Sequence, residues 1–172
     1  MTRAAPVPTR RAVLAGLGLS PLAPRLAIGA PREIAWEDLI PAGVPYGEIA
    51  GPGTYDEAND IWIPDFDANG SRTVGVFDGT AVRMPGYITP LEYDARDRVT
   101  GFLLAPFVGA CIHVPPPPPN QLVYVTTEVP WPGDAIWDAV WVEGTLRSNA
   151  SRTALADAGY EMRADAIELY EW

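Results

Sequence analysis

Cys111 and His113 are the only cysteine and the only histidine in this 172-residue chain, and one isoleucine separates them. In an extended chain, residues i and i+2 project from one face, so the thiol and imidazole would be neighbours. Three chemistries follow. Cys111 can be a small buried hydrophobe, with His113 hydrogen-bonded to a carbonyl. The two can be metal ligands, since a thiolate and an imidazole suit zinc or copper, and zinc is the expected one. Or the imidazole can lower the thiol pKa and make a nucleophile. No third orienting group is evident for that last chemistry and same-strand geometry is unusual for it, so no catalytic residue is assigned. A metal would need further donors: Glu92, Asp94 and Glu128 by proximity in the chain, water, or a second molecule, a two-fold homodimer giving a Cys₂His₂ set.

The pair must be held by what surrounds it. Val114 leads into five consecutive prolines, Pro115, Pro116, Pro117, Pro118 and Pro119, and then Asn120 and Gln121. Such a run favours a polyproline II rod of about 15 Å, with little entropy left to lose. It would fix the exit of the Cys–His segment, and with Asn120 and Gln121 it is a candidate edge for docking an envelope partner.

Around this block the pattern is one of strands. From Asp78-Gly79 onward, Ala81–Met84 and Tyr87–Tyr93 flank a Pro85-Gly86 pair that suggests a bulge or sharp bend. Val99–Val108 is apolar on both faces, as expected of a strand covered on both sides or one that changes face at Pro106. Leu122–Thr126, Ala139–Leu146 (with Gly144 as a bulge candidate), Gly159–Ala164 and Ala166–Tyr170 follow. Ser148–Ala158 suits a short helix or an extended loop. Five or six short strands over about 95 residues suit a small closed or partly open barrel. Ahead of it, residues 54–66 have no clear period, and Trp62 and Phe66 are expected to pin a long loop or short helix to the body. Sixteen glycines and nineteen prolines also point to a loop-rich β protein rather than a helical bundle.

Charge divides the chain. Residues 1–30 hold four arginines and no acid, whereas residues 31–172 hold eight arginines and all 22 acids, a formal charge of −14. This balance disfavours a nucleic-acid or anionic lipid partner. Arg10-Arg11 precede a short apolar stretch, Ala12–Leu19, and small residues near Ala27–Ala30 offer a cleavage site. The pattern is that of a bacterial twin-arginine signal peptide, which predicts export to the periplasm and removal of residues 1–30. No later apolar run approaches the length of a membrane span. The expected organisation is therefore a signal at 1–30, a loop-rich extension at 31–77 packed on the barrel, and a barrel at 78–172. Asp65, Asp67, Asn69 and Gly70 outline a calcium loop but lack its closing glutamate, since position 76 is valine.

Val82–Glu92, Phe102-Leu103-Leu104, the Gly109–Gln121 block, Val142–Leu146 and Ala158–Met162 together resemble the bacterial exported proteins known as domain of unknown function 3299, over about residues 78–172. The Cys-Ile-His-Val-polyproline-Asn-Gln block is its most specific part. The resemblance implies a mainly β fold, a small OB-like barrel with long loops and a short helix or two, but it brings no established activity. It also implies a loose association with metal-uptake transport. The expectation drawn is a periplasmic, non-catalytic accessory protein that binds metal, zinc foremost, within an envelope transport or metal homeostasis system. The alternative is an interaction module with a polyproline docking edge.

Overall fold

The computed structural model describes residues 30–58, 60–110, 114–134 and 138–171. Ten strands account for its regular structure: β1 (Arg32–Glu33), β2 (Thr54–Asp56), β3 (Ile61–Ile63), β4 (Thr80–Tyr93), β5 (Val99–Ala105), β6 (Val123–Trp131), β7 (Ala139–Arg147), β8 (Ser151–Arg152), β9 (Asp157–Ala158) and β10 (Tyr160–Leu169). The helical content among the described residues is four isolated 3-10 turns.

Strands β4, β5, β6, β10 and β7 hydrogen-bond in that order, and β7 pairs back onto β4, which closes a five-stranded barrel. All of these pairs are antiparallel except β6–β10. Counted along the chain, the order is first, second, third, fifth, fourth, with the third and fifth strands parallel. Closure leaves no long unpaired edge. Alternation along each strand fills the barrel: Val82, Met84 and Ile88 from β4, Phe102 and Leu104 from β5, Val123 and Val125 from β6, Val140, Val142 and Leu146 from β7, and Tyr160 and Met162 from β10.

Closure depends on β4, whose first half pairs with β7 and whose second half pairs with β5. Gly86 lies at the handover. A Cβ there would come 2.8 Å from Leu104 Cγ, so glycine is required by the close approach of β5. The expected irregularity at Pro85-Gly86 is displaced: the β4–β7 register runs unbroken through both residues, and the shifts fall between Pro90 and Tyr93. Likewise the bulge near Gly144 sits on its partner strand, between Ala164 and Ala166, so β10 is one bent strand rather than two. A Cβ on Gly144 would lie 2.2 Å from Arg163 O, which explains the glycine.

The N-terminal extension is part of the same core. Strand β1 adds in parallel to β4 at Val82 and Arg83. Ile34, Leu39 and Phe77 are buried in the main apolar cluster. Tyr160, fully buried, donates its hydroxyl proton to Leu39 O at 2.8 Å and accepts from the Val74 N–H at 2.6 Å, which ties two points of the extension to β10. One part of it departs from expectation. Strands β2 and β3 pair as a β-hairpin, and Trp62 on it is exposed rather than packed into the body. Ser148–Ala158 takes the extended-loop form of the two expected, with β8 and β9 paired within it.

Candidate functional site

The candidate site is the connection between β5 and β6, the second and third barrel strands. It grows out of a strand that is apolar on both faces. Phe102 and Leu104 of β5 point into the barrel, whereas Leu103 and Ala105 point outward into a second apolar cluster with Ala110, Leu122, Ala156 and Ala158. The outer face of β5 is thus roofed by the chain's own β5–β6 connection and by the β8–β9 region. In OB-type barrels the face of the second and third strands is where oligonucleotides and oligosaccharides bind. Here the β5 part of that face is covered from within.

The connection begins with an exposed apolar corner, Phe107 and Val108, and turns at Gly109, whose φ of +77° a side chain would strain. Ala110 is fully buried, and the buried Thr89 donates its hydroxyl to Ala110 O at 3.0 Å. Val114 N–H then returns to Gly109 O at 3.3 Å, and Ala110 bridges to Val114. Cys111, Ile112 and His113 lie outside the described residues. Their two anchoring ends are nonetheless closed on one another and fastened to β4 through Thr89. Phe107, Val108 and Val114 leave an apolar surface around these ends, at 38%, 48% and 44% exposure.

The proline run that follows is a seam. Pro116, Pro117 and Pro118 are buried, Pro119 is half-buried, and Pro115 is exposed. Proline carries no N–H, so the run can be buried without stranding donors. Pro118 fits against two glycines of the extension: a Cβ on Gly47 or Gly70 would come 3.1 or 3.0 Å from Pro118 Cβ. Asn120 Nδ2 donates to Asn69 O and Arg72 O, each at 3.0 Å, while its Oδ1 is buried without a hydrogen-bond partner. Gln121 Nε2 donates to Trp36 O at 3.0 Å and to Asn120 O at 2.9 Å. Pro119 O accepts from the Gly159 N–H at 2.6 Å. The block Pro115–Gln121 therefore joins extension to barrel. Apart from the exposed Pro115 and the half-buried Pro119 it faces inward, because the carbonyls that Asn120 and Gln121 satisfy lie inside the molecule.

The acids expected to complete a metal shell have other partners. Glu92 Oε1 accepts from the Tyr124 hydroxyl at 2.6 Å, and this bond, then burial, pushes the Tyr124 phenol up to about 12. Asp94 takes Arg98 at 2.6 Å, and that side-chain hydrogen bond foremost lowers its carboxyl to about 2. Glu128 pairs with Arg163 at 2.5 Å. Among the described residues, no three His, Cys, Asp or Glu side chains converge on a point that could hold a metal ion. Thr89 and the Tyr124–Glu92 pair were not singled out in the sequence. A threonine within an apolar strand segment was the available signal for the first, and cross-strand pairing is invisible without the register. A further cleft of about 550 Å³ lies beside the seam, between Ser71, Thr73, Pro119, Ser148 and Arg152.

Fold and site together define a closed five-stranded mixed β-barrel whose outer face is roofed by its own second connection. The chain belongs to the family of proteins of unknown function DUF3299, whose profile matches residues 36–169. The match takes in most of the extension as well as the barrel, in keeping with the shared core. The chain is also similar to a solved structure of a DUF3299 family protein from Pseudomonas aeruginosa PAO1. The two are 40% identical, the alignment covers 84% of this chain and 99% of that one, and the TM-score is 0.69. Among curated proteins none matches.

Proposed function

We propose that this is a metal-binding accessory protein of the bacterial envelope, with Cys111 and His113 as ligands and zinc favoured over copper. The observation that supports this reading is the closure around the pair. Gly109 and Val114 are hydrogen-bonded to each other, Thr89 anchors Ala110, and Pro116, Pro117 and Pro118 are packed into the body. The chain's sole thiol and sole imidazole thus belong to a short connection with both ends fixed. Two ligands on a segment whose ends are fixed lose less entropy on binding than two on a free chain. Zinc collects three or four donors, so the remaining positions fall to water, a carboxylate, or the same pair from a second copy. Bound zinc would act as cargo or as a cross-link.

The test is calorimetric titration of the reduced protein with zinc, beside Cys111→Ser and His113→Ala. Both variants should bind at least about tenfold more weakly. Affinity should fall as pH drops, because the imidazole and thiol must lose protons to bind. A wild type that binds neither zinc nor copper more tightly than about millimolar overturns the reading. If a second copy completes the shell, sedimentation will show a dimer only in the presence of metal.

The periplasmic destination rests on residues 1–30. Replacing Arg10 and Arg11 with lysine should leave precursor in the cytoplasm, as fractionation would show, and unchanged periplasmic yield would refute the twin-arginine route. A second reading, a non-catalytic interaction module, is favoured by the exposed apolar Phe107, Val108 and Val114 beside the loop. Such a partner would lose its hold on Phe107→Ser/Val108→Ser while zinc affinity stayed unchanged.

A further inference from the structure

The hairpin of the extension carries an aromatic face that the barrel leaves bare. Tyr55 and Trp62 are directly opposed across β2 and β3, so their side chains share one face, and they remain 55% and 36% exposed. Both rings are held in place. Trp62 Nε1 donates to Pro52 O at 2.9 Å, and its indole lies so close over Gly53 that a Cβ there would come 2.5 Å from Nε1. The Tyr55 hydroxyl donates to the Asp60 carboxylate. The surrounding charge has one sign. Residues 33–71 contain nine acids, four of them (Asp56, Glu57, Asp60 and Asp65) in or beside the hairpin, and no basic residue.

A fixed aromatic face set in acidic surroundings fits a cationic, arginine-bearing partner. This chain already uses that chemistry twice, with Arg32 over Phe77 at 4.9 Å and Arg83 over Trp141 at 4.6 Å from the ring centroids. It also contains a segment of matching charge outside the described residues. Residues 1–29 hold Arg3, Arg10, Arg11 and Arg25 and no acid, and the described chain starts at Ala30, two residues before β1 begins. Fully extended they reach about 95 Å, well beyond the roughly 40 Å breadth expected of the domain. Tethering holds them at an effective concentration of order millimolar, so weak contacts suffice.

We propose that residues 1–29, while attached, dock their arginines on the Tyr55–Trp62 face of the hairpin. Docking would place the folded domain in competition with whatever recognises Arg10-Arg11, and removal of the segment would uncover the aromatic face. The inference is independent of the metal reading.

Hydroxyl-radical footprinting of the full chain at low salt tests it. Trp62 and Tyr55 should oxidise about threefold more slowly in the wild type than in a variant with Arg3, Arg10, Arg11 and Arg25 all changed to serine. These four positions lie outside the barrel, so the two proteins should share one melting curve. Protection should vanish near 1 M salt, where the Debye length is about 3 Å. Glu57→Gln/Asp65→Asn, which keeps the Pro52 and Asp60 partners of the two rings, should relieve it in part. Equal oxidation rates in wild type and arginine variant overturn the proposal, as does protection unchanged by Glu57→Gln/Asp65→Asn. Protection that grows with protein concentration also overturns it, because it assigns the contact to a second copy.

Discussion

Tyr160 shows how one side chain can hold two regions together. Its ring fills the barrel core and its hydroxyl meets Leu39 O and the Val74 N–H, with no exposure to water. Changing Tyr160→Phe preserves shape but leaves a buried carbonyl and a buried amide unpaired. A buried polar group without a partner costs about 1–3 kcal/mol. Urea denaturation should show a loss in that range with the slope unchanged; a loss below about 0.5 kcal/mol would mean that water replaces the phenol. Tyr160 lies in a segment read as a strand, yet nothing in its neighbourhood names Leu39, 121 positions away, as its partner. Cys111 and His113 present the opposite case. Their uniqueness is legible from composition alone, whereas what surrounds them is set by residues far away in the chain.

At the scale of elements, the turns and seams are where local chemistry and long-range packing meet. The turn between β4 and β5 is written in adjacent residues: Asp94 receives the Arg96 and Arg98 N–H groups and the Arg98 guanidinium, and Asp97 takes a positive φ. The Arg98 hydrogen bonds hold the Asp94 carboxyl at about 2, below the ordinary carboxylate value. A folded pKa depressed in this way adds stability above the unfolded value, and that stability is lost as pH falls from about 4 towards 2. The melting-temperature gap between wild type and Asp94→Asn should therefore be constant above about pH 5 and close by about pH 2. A gap that persists at pH 2 would assign the effect to something other than charge. The proline seam has the reverse character. Its stiffness is readable from five consecutive prolines, but its burial follows from Gly47 and Gly70, whose missing side chains admit Pro118.

For the whole molecule, the decisive fact is that extension and barrel share one core. Ile34, Leu39 and Phe77 sit in the same cluster as the barrel strands, and Asn120 and Gln121 satisfy carbonyls of the extension. Burying a Leu or Phe side chain is worth about 1.5–3 kcal/mol, so losing three such residues removes a large share of a typical 5–15 kcal/mol. Residues 78–172 expressed alone should thus lack a cooperative thermal transition by circular dichroism and near-ultraviolet signals. A fragment that melts as sharply as residues 31–172 would show that the extension is an ornament on an independent barrel.

Alternation of apolar residues along β4, β6, β7 and β10, the turn residues between them, and the scarcity of helical periodicity were enough to define a small β-barrel, because those signals are local and follow from side-chain geometry in a strand. The charge break near residue 30 and the solitary Cys–His pair were equally open to reading, since each is a property of composition. Tertiary structure alone decided the rest. The closing β4–β7 pairing, the exposure of Trp62 and the roofing of β5 all arise between residues far apart in the chain. So does the fate of Pro115–Gln121: a polyproline rod is equally stiff in water or in a core, and only the neighbouring Gly47 and Gly70 determine that it becomes an internal strut.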